Sequence, residues 1–174
     1  YQVRRMVKGR KRKGQTLPSV EPRPYLLPLS DPNFHWERFE EFCRDFVSKL
    51  PGVKECYPYG KRGGRQRGID LIAQREDGSR WAFQCRQRKR FSPGDAERLI
   101  RETTYEANRY VLLLSSEASS EVMDVFDRHP KWEVWDVRMI SSKVRELPVD
   151  VACRLVETHF GRAWRRGFRS IGLP

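Results

Sequence analysis

Apolar residues recur every three or four positions through Trp36, Phe39, Phe42, Cys43, Phe46, Val47 and Leu50. That spacing predicts an amphipathic helix stopped by Pro51-Gly52. Ser30-Asp31-Pro32 ahead of it offers a cap and a first-turn proline. The pattern then changes to strands over Val53–Tyr59, Ile69–Arg75 and Arg80–Gln87. The first two are joined by GKRGGRQRG, the last two by the hairpin signal Glu76-Asp77-Gly78-Ser79. Ser92-Pro93 opens a second helix to about Asn108, and YVLLL at 110–114 reads as a strand covered on both faces. A helix over Ser120–Arg128 and a last strand over Trp132–Ile140 complete the order α-β-β-β-α-β-α-β. The fold class expected is α/β, a mixed sheet flanked by helices on both faces.

Segments outside that core differ in character. Residues 1–29 combine GRKRKG with four prolines and carry no periodic apolar pattern, so they are expected to be a flexible basic arm. Residues 30–147 form the expected domain. Beyond Pro148, VDVACRLVETHFGRAWRR has helical period and reads as a connector, within 148–174, to a domain further along a longer protein.

A length of 174 residues suits one such domain, and 20 aromatics among 38% hydrophobic residues allow a sizeable core. No apolar run reaches the length of a membrane-spanning helix, so no membrane partner is expected. Cys43, Cys56, Cys85 and Cys153 show no metal-binding spacing and sit among apolar neighbours, which points to reduced core thiols and a cytoplasmic setting. His35, His129 and His159 stand apart in sequence and read as packing or surface residues. Charge changes the picture more. The net +12 is concentrated: +7 in residues 1–30, +7 in 60–90 and +4 in 152–174, leaving −6 elsewhere. Clustered cations favour a polyanion, and DNA or RNA phosphates are its commonest form.

The central cluster surrounds the candidate chemistry. Asp70 lies among Ile69, Leu71 and Ile72, where an unpaired acid is costly to bury. Along the next strand Trp81, Phe83 and Cys85 alternate with Gln84 and Arg86, so the polar pair shares the opposite face. A three-residue turn at Asp77-Gly78-Ser79 would set Asp70 opposite Arg86, whereas a two-residue turn would set it opposite Cys85. On the first helix Glu37, Glu41 and Asp45 fall away from the apolar stripe. Glu40 falls on its flank, about 20° from Val47, and is the acid expected to face inward. Lys61, Arg62, Arg65 and Arg67 before Asp70, with Arg88 and Arg90 after Arg86, are the candidate DNA contacts.

Helix-borne WERFEEF, then GID, then a strand with QCR resembles the Mrr-like branch of the PD-(D/E)xK restriction-endonuclease superfamily. The resemblance spans about residues 30–147 and implies a Mg²⁺-dependent DNA endonuclease, with Mn²⁺ as a substitute. Its metal set would be Asp70, Gln84 and Glu40, and Arg86 stands at the position of the catalytic lysine. Arginine cannot shed its proton to act as a base, though it can clamp phosphate. Lys89, three residues on, is the candidate replacement. The resemblance also implies an antiviral defence effector joined to an NTPase or sensor domain, with self-association into a homo-oligomer open. The competing expectation is a catalytically inactive module that binds nucleic acid through the same groove.

Overall fold

The computed structural model describes residues 26–60 and 67–169. Lys61, Arg62, Arg65 and most of the basic arm lie outside the described residues. Eleven elements follow in order: α1 (Trp36–Ser48), β1 (Val53–Pro58), β2 (Leu71–Arg75), β3 (Arg80–Arg86), α2 (Pro93–Glu102), β4 (Arg109–Leu114), α3 (Ser120–Asp127), β5 (Trp132–Trp135), α4 (Val137–Glu146), α5 (Val149–Phe160) and α6 (Arg162–Arg169). The strands form one mixed sheet in sequence order. β1, β2 and β3 pair antiparallel, while β3, β4 and β5 pair parallel.

β4 shows why helices cover both faces. Val111 and Leu113 join one core with α1, α4 and α5, whereas Leu112 and Leu114 join another with α2 and α3. Alternation sends successive side chains to opposite faces, so an unbroken apolar strand needs two covers. A third, smaller cluster of Ile69, Ile72 and Ala82 lies under Tyr59, Tyr105 and Tyr110. No described helix is long and apolar enough to cross a membrane.

Several boundaries differ from expectation, each for a local reason. Helix α1 begins at Trp36 rather than beside Ser30, and His35 is its cap without a side-chain bond. Ser30 instead donates to Ser115 O at 2.7 Å, and Asp31 accepts from Asn33 N–H in a turn. Trp36, counted in the apolar stripe, is 53% exposed. The expected strand through Ile140 ends at Trp135 because Asp136, 4% exposed, caps α4 by accepting from Arg138 and Met139 N–H. Such a cap satisfies orphan donors and commits the chain to helix. The expected helix after Pro148 breaks at Gly161, whose φ of 93° is left-handed.

The two flanking segments are also drawn into the core. Leu27 and Leu29, expected in the arm, are 4% and 0% exposed, and Leu27 N–H donates to the Ser141 hydroxyl. Ala152, Leu155 and Val156 of α5 bury in the same cluster as α1. Leu29→Ala is therefore expected to cost roughly 2–4 kcal/mol. Thermal unfolding should show a midpoint about 5–15 °C lower. An unchanged midpoint would mean that residues 26–29 are not part of the cooperative fold.

Candidate active site

Register places the first groups. β2 and β3 pair with Leu71 opposite Phe83 and Gln74 opposite Arg80. The closing loop is Glu76-Asp77-Gly78, with Arg75 N–H donating to Ser79 O and Gly78 N–H to Arg75 O. Gly78 has φ 83°, the conformation a side chain resists. The loop is a three-residue glycine turn, as expected, but one residue earlier. That shift sets Asp70 level with Gln84 rather than with Arg86, a correction to the expected pairing. Asp70 N–H donates to Phe83 O at 2.8 Å although Phe83 already faces Leu71, so the ladder is bulged there.

At the bulge the Asp70 carboxylate turns onto the end of β3. Its Oδ2 accepts from Cys85 N–H at 2.7 Å and from Arg86 NH1 at 3.3 Å. Arg86 NH1 also donates to Cys85 O at 2.9 Å. Among the described residues Oδ1 takes no bond. Burial pushes the Asp70 carboxyl above its usual range, while the Cys85 amide and the Arg86 charge pull it back. Gly68, two residues earlier, has φ 77°, and a Cβ there would lie 2.8 Å from Thr103 Cα and 3.2 Å from Gln84 Nε2. Only glycine fits that approach.

Asp70 lines a cavity of 360 Å³ together with Glu37, Glu40, Glu41 and Arg44 of α1, and with Tyr59 and Cys85. Glu40 thus reaches the same cavity as Asp70, half-buried. Glu37 and Glu41, expected to face away, line it too. Their shared face was readable from the 37/40/41/44 spacing, which is one side of a helix. The free Cys85 thiol, hydrogen-bonded to the Cys43 thiol and buried, has its pKa raised well above normal. A thiol so held is no nucleophile near neutral pH.

Two candidates lie elsewhere. Gln84 is 2% exposed, does not line the cavity, and shares no bond with Asp70; its Oε1 is a buried acceptor without a partner. Lys89 lines a separate cleft with His35 and Trp36. Of the candidate DNA contacts, Arg88 pairs with Asp95 at 3.8 Å, and Arg67, at φ 43°, and Arg90 are exposed.

The carboxylates of Asp70, Glu37, Glu40 and Glu41 that line the cavity are oxygen donors of the kind a hard cation takes. Among the described residues no three His, Cys, Asp or Glu side chains gather closely enough to hold an ion by themselves. Water and a phosphate would have to complete the shell, the habit of Mg²⁺. A family model described as "Restriction endonuclease", the Mrr catalytic-domain model, matches residues 32–142, well over half of the chain. The chain belongs to the Mrr restriction-endonuclease family. No curated protein and no solved structure matches it significantly. An Mrr-family domain is of nuclease type, with DNA as the implied substrate and divalent metal as the usual cofactor. The family match ends at 142, so α5 and α6 lie beyond it.

Asp70 carries a stability consequence with a definite sign. Its raised native pKa means the native state holds the proton through a range where the unfolded chain has lost it. Stability therefore falls as pH rises through that window, and the penalty is complete above it. In chelator at about pH 7, Asp70→Asn is expected to raise the thermal midpoint, a gain that fades below about pH 4. Destabilisation at pH 7 that fades below about pH 4 would show instead that the ionised carboxylate stabilises the fold.

Proposed function

We propose that this domain is a Mg²⁺-dependent DNA endonuclease that hydrolyses phosphodiester bonds. The observation that carries the reading is the sharing of one cavity by Asp70 and Glu40, with Arg86 bonded to the same aspartate. Asp70 Oδ1 and the Glu40 carboxylate are the groups that would hold the ion, and Mn²⁺ has the same oxygen preference. When bound, such an ion lowers the pKa of a coordinated water and neutralises phosphate charge. Gln84 would join only if its side chain turned from the sheet interior. Its partnerless Oε1 is the reason to keep it as a candidate.

Arg86 does the work of position rather than proton transfer. Its NH1 is spent on Asp70 and Cys85 O, while its Nε and NH2 take no partner among the described residues. Those donors can grip a phosphate oxygen and offset charge developing in the transition state. The groups of the cavity able to accept a proton from water near neutral pH are the carboxylates of Glu37, Glu40, Glu41 and Asp70. Cations at Arg67, Arg88 and Arg90, with Lys61, Arg62 and Arg65 from the sequence, would meet the DNA backbone. The wider role, a defence effector joined to an NTPase or sensor domain and able to self-associate, rests on the family resemblance.

A second reading is favoured by one contact. Arg86 sits on an Asp70 oxygen where the family places a lysine, so the domain could bind DNA without cutting it. Plasmid cleavage with and without Mg²⁺ separates the two. Cleavage is expected from the wild type, with Asp70→Ala abolishing it and Glu40→Gln lowering it strongly. Arg86→Ala should lose ~10²–10³ in rate, the scale of one electrostatic stabiliser. Arg86→Lys should keep part of it, because the charge survives while the planar fork is lost. No cleavage by the wild type, with DNA binding retained, would establish the inactive module. Arg86→Lys far above the wild type would mark the arginine as a restraint on an older lysine chemistry.

A further inference from the structure

The cleft that holds Lys89 is separate from the acidic cavity. It has a volume of about 270 Å³ and lies between the start of α1 and the ends of β3 and β4. Its frame is fixed by bonds. Gln87 Nε2 donates to Leu29 O and to Phe34 O, Arg88 N–H donates to the Ser115 hydroxyl, and Ser30 donates to Ser115 O. The cleft is therefore shaped before any ligand arrives, which limits the ordering cost of binding. Its walls include Trp36, 53% exposed, and the exposed Lys89 and Arg88. One acid, Asp31, is present, and its Oδ1 is engaged by Asn33 N–H.

A large, exposed indole beside a lysine in a pre-shaped cleft suits a planar ring carrying a phosphate. Nucleic-acid bases stack on such surfaces whatever their sequence, while cations track the backbone. Position supports that occupant over a protein side chain. Lys89 follows Arg86 by three residues, no more than about 11 Å of chain. That is roughly three nucleotides at 3.4 Å of rise each. A strand with its phosphate at Arg86 would therefore bring a nucleotide within about three steps of it to this cleft. A base inside a duplex cannot reach a side chain in this way, so the nucleotide must be unstacked.

We infer that this cleft binds one unstacked nucleotide of the DNA strand near the cut, its base against Trp36 and its phosphate on Lys89. The inference rests on the DNA-cleaving reading for its occupant but not on catalysis. It also gives Lys89 a role other than replacing the missing catalytic lysine.

The test is binding of a single-stranded deoxyoligonucleotide carrying 2-aminopurine to the full chain in chelator, read by fluorescence and by affinity. Binding should quench the probe. Trp36→Ala should remove the quenching and weaken affinity roughly five- to hundred-fold, the scale of one base–aromatic stack. Trp36→Phe should keep most of both, since a smaller ring still stacks. Lys89→Gln should weaken binding while reducing the salt slope by about one. The idea is overturned if Trp36→Ala binds and quenches like the wild type, or if the wild type binds no oligonucleotide. Mg²⁺-dependent plasmid cleavage beside an unaltered Trp36→Ala would sink the cleft and leave the nuclease reading intact. Trp36-dependent quenching in a chain that never cleaves would do the reverse.

Discussion

One part-buried carboxylate, hydrogen-bonded to a strand amide, sets the arrangement of groups around the acidic cavity. Asp70 Oδ2 takes the Cys85 N–H and an Arg86 N–H, and the backbone on either side of it is shaped to allow this. Gly68 lets the chain pass against Thr103 and Gln84, and Tyr59 N–H, just past the end of β1, donates to Asp70 O. A charged group in that setting is expensive, and two N–H donors offset only part of the loss. The upward push on the Asp70 carboxyl says the same. A part-buried acid whose ionised form is disfavoured is one that a cation or a proton at the cavity would relieve.

A second acid reaches the same cavity, and that depends on where α1 lies. Phe39, Phe42, Phe46 and Val47 bury one stripe of the helix on the sheet. The next stripe, Glu37, Glu40, Glu41 and Arg44, then lines the cavity over Asp70. α5 fixes the helix from another side. His159 meets Asp45 at 2.9 Å, Arg38 donates to His159 O, and Phe160 packs on Phe42. A segment read from sequence as a connector is thus a wall of the core. Its burial ties the tilt of α1, and with it the height of Glu40, to a part of the chain outside the family match.

Sequence reading works here wherever burial is periodic. The α1 stripe, the five strands and the doubly covered β4 follow from spacing alone. Spacing put Glu40 on the inward flank of α1 but missed that Glu37 and Glu41 line the same cavity. It failed where one side chain outweighed a pattern. WEVWDVRMI alternates like a strand, but buried Asp136 bonds two forward amides and turns its second half into α4. Ser30-Asp31-Pro32 has the composition of a cap, yet Ser30 is used by Ser115. The hairpin loop moved by one residue because Asp77 bonds Ser79 and leaves Gly78 at the left-handed position. Gln84 illustrates a different limit. Strand parity gives its side of the sheet but not whether a bulge on the adjoining strand turns the Asp70 carboxylate elsewhere.

The run Gln84-Cys85-Arg86-Gln87-Arg88-Lys89 shows why Lys89 is held away from Asp70. Each residue is already committed in a different direction. Gln84 goes into the sheet, Cys85 to Cys43, Arg86 to Asp70, and Gln87 to two carbonyls of the 29–34 segment. Arg88 N–H then anchors on Ser115, so the chain leaves β3 along a fixed path toward the second cleft. Bringing Lys89 to Asp70 would break the Gln87 and Arg88 bonds, leaving buried carbonyls of Leu29 and Phe34 short of a donor. The cation beside Asp70 is therefore arginine by construction of the strand end. Whatever chemistry occurs there must work with a charge that never gives up its proton.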